Sequence, residues 1–194
     1  NAVVMEVSSH GLALGRVDDL TFTGAVFTNL TRDHMDFHNS FEEYFAAKRK
    51  LFELVNASDA PCRFGVINLD DPWGRIILSE HYDYHLFSFG MNNAADYHPV
   101  KETLSLSIRG SSFTLHYPCA DVPVTLAVGS RFSVYNAIAA FAAVHQMEFN
   151  PWKVAKGLEK LKNIPGRFQS TIAPAGFAVI VDYAHTDDAM DKLL

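Results

Sequence analysis

Four short runs of apolar residues, each closing on polar side chains, constrain this chain more than any other feature. They are AVVMEVSS (Ala2 to Ser9), GAVFTNL (Gly24 to Leu30), FGVINL (Phe64 to Leu69) and FAVIVDY (Phe177 to Tyr183). Each is nearly continuous in apolar residues and lacks the alternation of a strand with one wet face, which is the pattern of strands covered on both sides in a parallel sheet. Their ends are polar: Glu6 with Ser8 and Ser9, Asn29 leading to Asp33 and His34, Asn68 leading to Asp70 and Asp71, and Asp182 leading to His185. Open parallel sheets take ligands at the carboxyl ends of their strands. The four tips are therefore expected to converge on one site.

Helical patterns alternate with these runs. Ser40 and Glu43 form a capping box ahead of a helix from Phe41 to Val55. Asp71-Pro72 suits the cap and first turn of a helix reaching Ser79. Arg131 to Gln146 is alanine-rich and helical, and Asn150-Pro151 opens a helix toward Lys162. Between Glu102 and Val128 the period changes to alternation (LSLSI, SFTLHY, VTLAV), which predicts antiparallel strands. NIPGRF, Asn163 to Phe168, has the break residues of a linker, and a new strand and helix start follow it. The expected fold class is α/β: a mostly parallel, doubly wound sheet with an antiparallel extension in residues 1–162, then a hinge and the beginning of a second domain in 163–194.

Composition narrows the function classes. Among 194 residues, 48% are hydrophobic and 20% charged, as in globular chains. No apolar run approaches the roughly 18 residues of a membrane helix, and nothing resembles a signal peptide. A net charge of −6 argues against non-specific nucleic-acid binding. Cys62 and Cys119 stand outside any metal-ligand spacing, which favours a reducing cytoplasm. The chain starts at Asn1 inside a strand pattern and stops at Leu194 as a helix pattern begins, so a piece of a longer protein is expected.

Lys48 breaks a pattern. At about 100° per residue, Phe41, Tyr44, Phe45, Leu51, Phe52 and Val55 share one helix face, and Lys48 falls within that stripe, while Glu42, Glu43, Arg49 and Lys50 point elsewhere. One reading is a lysine that extends its head past aromatic neighbours to water. The other is a desolvated, neutral amine able to take up carbon dioxide as a carbamate, which has the charge and shape of a carboxylate.

Asp33, His34, Asp36 and His38 form D-H-x-D-x-H, a pattern shared by metal sites and by hydrogen-bonded turns. Glu6, set among Val3, Val4, Met5 and Val7, should be costly to bury without a cation. A carboxylate and an imidazole completed by water and phosphate oxygens make the sparse shell of magnesium. Asn68, Asp70 and Asp71 read either as ligand contacts or as a strand end and helix cap. Tyr135 and Asn136 stand in an alanine-rich helix where asparagine is mildly unfavourable. Arg167 is a phosphate contact or a linker charge, and Asp182 to His185 is a functional candidate at a strand tip. His81, His85, His98, His116 and His145 show no convergent spacing.

EVSSHGLALGRV, AVFTNLTRDHMDFHNSFEEYFAAKRKLF, INLDDPWG, FSVYNAIAAF, PGRF and VDYAHTDDAM follow one another in the order found in the Mur ligases, and this sequence resembles that family along nearly its whole length. EVSSH and VDYAHT resemble the members that add the third residue of the peptidoglycan stem peptide. The resemblance implies a central ATP-binding domain followed by a Rossmann-like C-terminal one. It implies an ATP-dependent ligase that joins a diamino acid, meso-diaminopimelate or L-lysine, to UDP-MurNAc-L-Ala-D-Glu through an acyl phosphate, as a cytoplasmic monomer. It also implies that Glu6 and His34 help hold Mg2+, with Lys48 as the carbon dioxide-derived carbamate beside them. Ser8 and Arg16 match contacts to the UDP-sugar substrate. Asn136 matches an adenine contact, with Asn68 and Asp70 on that side, and Arg167 and Asp182 match ATP contacts with His185 beside them.

Leu14, Ser133, Gln169 and Asp187 depart from residues usual in the family without removing a magnesium or phosphate group. No G-x-x-x-x-G-K-[ST] loop is present, so the phosphate cradle is expected before Asn1, and the 194-residue piece alone is expected to lack ligase activity. Competing expectations are another ligase of the superfamily such as folylpolyglutamate synthetase, a non-catalytic binding relative, and a zinc hydrolase built on Asp33, His34 and His38.

Overall fold

A computed structural model of the chain describes residues 2–32, 35–92, 94–185 and 190. Its first elements alternate between helix and strand: α1 (Ser9–Ala13), β1 (Gly24–Phe27), α2 (Phe41–Ala57), β2 (Phe64–Asn68), α3 (Pro72–Ser79) and β3 (His85–Phe89), of which β1, α2, β2 and α3 stand where the sequence predicts them. Strands β1, β2 and β3 form a parallel sheet in that order, with Gly24 opposite Phe64 and Phe64 opposite His85. All five residues of the central strand β2 are buried, as its unbroken apolar run requires.

Helices cover both faces. On one, Ala25, Phe27 and Ile67 meet Tyr44, Phe45, Phe52 and Val55 of α2 and Ile77 of α3. On the other, Phe64, Val66 and Phe89 meet Val134, Ile138 and Phe141 of the alanine-rich helix α4 (Arg131–Gln146). Phe52 is 1% exposed, and truncating such a side chain to alanine costs about 3–5 kcal/mol. Helix α4 is buried on its far side too, against β6 (Gly110–Tyr117) and β7 (Ala120–Leu126), a hairpin whose inward residues alternate. Two short strands, β4 (His98–Pro99) and β5 (Ser105–Ser107), pair with the other edge of β6, and helix α5 (Pro151–Glu159) packs on β7. Among the described residues no helix is long and apolar enough to cross a membrane.

The structure corrects two expected strands. Residues 2–8 form no strand and are largely exposed, with Val3 at 91% and Val4 at 93%. A continuous apolar run becomes a buried strand only when neighbours supply a ladder and two covers, and among the described residues this run has neither. Phe177–Tyr183 contains β9 (Ala178–Val181), but β9 pairs antiparallel with β8 (Gln169–Ile172), and its four residues are exposed. The short 173–177 turn, closed by Gly176 N donating to the Ala173 carbonyl, folds it back into a hairpin. Strands β3 and β4 and helix α1 are additional elements that the periodicity did not reveal.

Candidate functional site

Lys48 lies where the helical stripe put it. It is half-buried on α2, and its Nζ stands 5.2 Å from the centroid of the Tyr44 ring, one helical turn earlier. Tyr44 in turn stacks on His38, with centroids 5.0 Å apart and planes 17° apart. The His38 Nε2 is 2.9 Å from Ser9 Oγ at the start of α1. Ser9 and His38 are each 1% exposed and Tyr44 is 4% exposed. His10 and Phe37 extend the column of rings, with centroids 3.9 Å apart. Lys50, pointing away from the stripe, clamps α1 to α2 through Asp18 at 2.8 Å and the Leu12 carbonyl at 3.2 Å.

This arrangement corrects the zinc-hydrolase expectation for His38, whose imidazole is buried in a stack and hydrogen-bonded to Ser9. Asp36 is exposed, and Asp33 and His34 lie outside the described residues. Among the described residues no three His, Cys, Asp or Glu side chains gather as a protein-built metal cage would need. Glu6 is exposed on the extended 2–8 segment, so burial does not force a cation upon it. Ser8 caps α1, its Oγ accepting from Gly11 N at 3.1 Å. Arg16 follows Gly15, which takes the left-handed φ of +67° that ends α1, and leaves its guanidinium exposed.

The carboxyl edge of the parallel sheet is held by a clasp. Asn68 Nδ2 donates to the Thr28 carbonyl at 2.7 Å, tying the ends of β1 and β2, while its Oδ1 accepts from Asp70 N at 3.0 Å. Asp70 Oδ2 accepts from Met91 N at 2.6 Å, beyond β3, and from the Tyr135 hydroxyl at 2.7 Å on α4. Burial and then this carboxylate push the Tyr135 phenol up to about 12. Asp71 caps α3 through Trp73 N at 2.8 Å and accepts from Leu30 N at 3.1 Å. Two glycines permit the close approach: a Cβ at Gly74 would strike the Asn68 carbonyl, and one at Gly90 would lie 2.8 Å from Asp70 Oδ2. Asn136, next to Tyr135, is exposed.

A second group forms at the foot of the β8–β9 hairpin. Asp182 Oδ2 accepts from Phe168 N at 2.7 Å and its Oδ1 from Ala184 N at 2.8 Å. Arg167 is exposed, its guanidinium 5.8 Å from the Tyr183 ring centroid, and the Tyr183 and His185 rings are 4.9 Å apart. The structure thus brings Arg167, Asp182 and His185 together, and Asn68 with Asp70. Of the four expected strand tips, those of β1 and β2 are joined directly, through Asn68 and Asp71.

Sequence reasoning missed the opposite end of the sheet. A cleft of about 650 Å3 opens there, lined among others by Cys62, Arg63, His85, His145, Gln146 and Phe149. Two of its lining residues share a partner: the Tyr97 hydroxyl meets His145 Nδ1 at 2.8 Å and accepts from Gln146 Nε2 at 2.6 Å. Only the fold joins residues so far apart. The Tyr44 contact, by contrast, was available from its four-residue spacing to Lys48.

The sequence pattern of the Mur ligase middle domain matches residues 1–144. Curated relatives include UDP-N-acetylmuramoyl-L-alanyl-D-glutamate--2,6-diaminopimelate ligases of Solibacter usitatus, 44% identical, and of Syntrophomonas wolfei, 39% identical, each over 99% of this chain. The chain spans 38% of the length of each. A solved structure of a ligase of that name is 32% identical and superposes with a TM-score of 0.79, covering 96% of this chain and 38% of the other.

Proposed function

Because the chain belongs to the Mur ligase middle-domain family, we propose that it is the central part of an ATP-dependent ligase joining 2,6-diaminopimelate to UDP-MurNAc-L-Ala-D-Glu in peptidoglycan precursor synthesis. The observation that carries this reading is the similarity to ligases of that name from end to end of the chain. In this reading residues 1–162 are the nucleotide-binding domain, and 163–194 are the hinge and first part of a C-terminal, amino-acid-binding domain. The protein works as a cytoplasmic monomer.

Each residue then has a task. Arg16 and Ser8, at the two ends of α1, meet the UDP-sugar substrate: Arg16 offers an exposed guanidinium to its phosphates, and Ser8 the free lone pair of a capping hydroxyl. Arg167 offers an exposed cation to ATP. Asn136, exposed on α4, contacts the adenine in this reading. Asn68 and Asp70 act on that side by fixing the sheet edge and Tyr135, since their side chains are engaged within the protein. Asp182 shapes the backbone that presents Arg167 and His185.

The donor set fits magnesium. Glu6 presents an exposed carboxylate with no ion pair or hydrogen bond among the described residues, and Lys48 projects half-buried from the stripe and, in this reading, carries carbon dioxide on Nζ as a carbamate. With His34 these are hard oxygen and imidazole donors of the kind magnesium accepts. Bound there, the ion offsets the repulsion between the substrate carboxylate and the phosphate oxygens.

The test uses the protein expressed with the sequence that flanks this chain in its gene. With ATP, UDP-MurNAc-L-Ala-D-Glu and 2,6-diaminopimelate it is expected to form the tripeptide product and release phosphate, and to leave folates unreacted. Phosphate release with a folate and glutamate, and none with the UDP-dipeptide, would reassign it to the folylpolyglutamate branch.

A further inference from the structure

The column Ser9–His38–Tyr44–Lys48 contains two buried groups, His38 and Tyr44, that no role above uses. We propose that Tyr44 is a positioning residue for Lys48: its ring face seats Nζ, and His38, anchored on Ser9, fixes the plane of that ring. This deepens the reading of Lys48 as the carbamate-bearing lysine and rests on it.

Three geometric facts support the assignment. Nζ stands over the ring at 5.2 Å, within the range where an aromatic face attracts an ammonium. The ring is held in place, because Tyr44 is 4% exposed and His38 stacks within 17° of parallel. His38 is itself held, 1% exposed and hydrogen-bonded at 2.9 Å to the first residue of α1. A lysine has four rotatable bonds and a flexible stem. One that must place a reactive nitrogen gains from a wall that narrows its choices, and the apolar ring face does this by packing against the methylene stem. The chain of contacts also connects α1, which carries Ser8 next to Ser9, with the helix that carries Lys48.

The experiment reads the accessibility of Lys48 directly. The protein with its flanking sequence is labelled with an amine-reactive acetylating reagent in carbon dioxide-depleted buffer, without nucleotide. Peptide mass spectrometry follows Lys48 against the exposed Lys162. Tyr44→Leu is expected to raise the relative labelling rate of Lys48 about fivefold, the loss of one ring-face contact. Tyr44→Phe, which keeps the face, is expected to label like the parent. His38→Gln, which keeps an amide near Ser9 and removes the stacked ring, is expected to fall between them, and carries the test if Tyr44→Leu does not fold. Equal labelling in the parent and the ring-deleting variants overturns the proposal, as does a rise in Tyr44→Phe equal to that in Tyr44→Leu. In turnover assays Tyr44→Leu should lose roughly tenfold in kcat with little change in KM for the UDP-dipeptide, and Tyr44→Phe should recover it. The labelling outcome does not depend on ligation, so a failure of the catalytic reading leaves it standing and is recognised by absent turnover in the parent.

Discussion

Asp70 and Asp182 stand just after apolar strands and look alike in the sequence, yet the structure employs them differently. Asp70 accepts from Met91 and from Tyr135, residues 21 and 65 positions away, and so binds the ends of two strands to α4. Asp182 accepts from Phe168 and Ala184, 14 and 2 positions away, within a hairpin whose residues are largely exposed. The first carboxylate maintains tertiary structure and the second shapes a local turn. A polar strand tip is thus a strong sign of a site but a poor guide to which of its residues touch the ligand.

The largest expected effect tests that contrast. Asp70→Ala leaves a backbone N–H and a partly buried phenol without their charged acceptor, which should cost about 2–4 kcal/mol of unfolding free energy. Asp182→Ala breaks two bonds in a segment that water already reaches, and should cost about 1 kcal/mol or less. Urea midpoints of the two variants, at equal m-values, decide the matter. Equal losses would mean that the hairpin is as integral to the fold as the clasp.

Next in size is an effect on binding rather than on stability. Arg167→Ala removes an exposed guanidinium whose one ring contact among the described residues is Tyr183, so its stability should change by no more than about 0.5 kcal/mol. If Arg167 contacts ATP, the same variant should weaken ATP binding roughly tenfold, the scale of one charge-assisted contact. Calorimetric titration with a non-hydrolysable ATP analogue measures it. A destabilised variant with unchanged nucleotide affinity would move Arg167 to the structural side of the comparison.

How far the sequence could be read follows from the same physics. Helix α4 was legible to the residue from its alanine-rich run, and the structure adds the Ser130 cap that starts it. The α2 stripe was legible with Lys48 in it, because helical periodicity is a local property. Strands β1 and β2 were legible from their apolar runs. Ala2–Ser9 has the same composition as β1 and forms no strand, because strand formation depends on partners that composition does not encode. Phe177–Tyr183 was read with the wrong pairing, since parallel and antiparallel neighbours are decided by the turn at Gly176. Asn68 was placed correctly at the sheet edge, but its two hydrogen bonds, which leave its amide engaged within the protein, exist only once β1 lies beside β2. His145 was given no role for the same reason, its partner Tyr97 being 48 residues away.

His145 supplies the smallest effect and a third case for the comparison, a half-buried polar group whose partner is the Tyr97 hydroxyl. Its ring packs against Tyr97, Tyr117 and Phe141, and burial holds its pKa below the ordinary 6.5. In the folded chain it therefore stays neutral at a pH where the unfolded chain already binds a proton. Between the lowered folded pKa and about 6.5 the unfolded state carries more protons, so stability falls as pH falls through that window. Access of water from the cleft limits the effect to about a few tenths of a kcal/mol. His145→Gln should lower stability at pH 7 slightly, by disturbing the Tyr97 hydrogen bond, yet flatten the acid side of the stability profile relative to the parent. Denaturation midpoints at intervals below neutrality give the two slopes. An unchanged slope would place the proton uptake on other histidines and leave the Tyr97–His145 pair, like Asp182, a local contact.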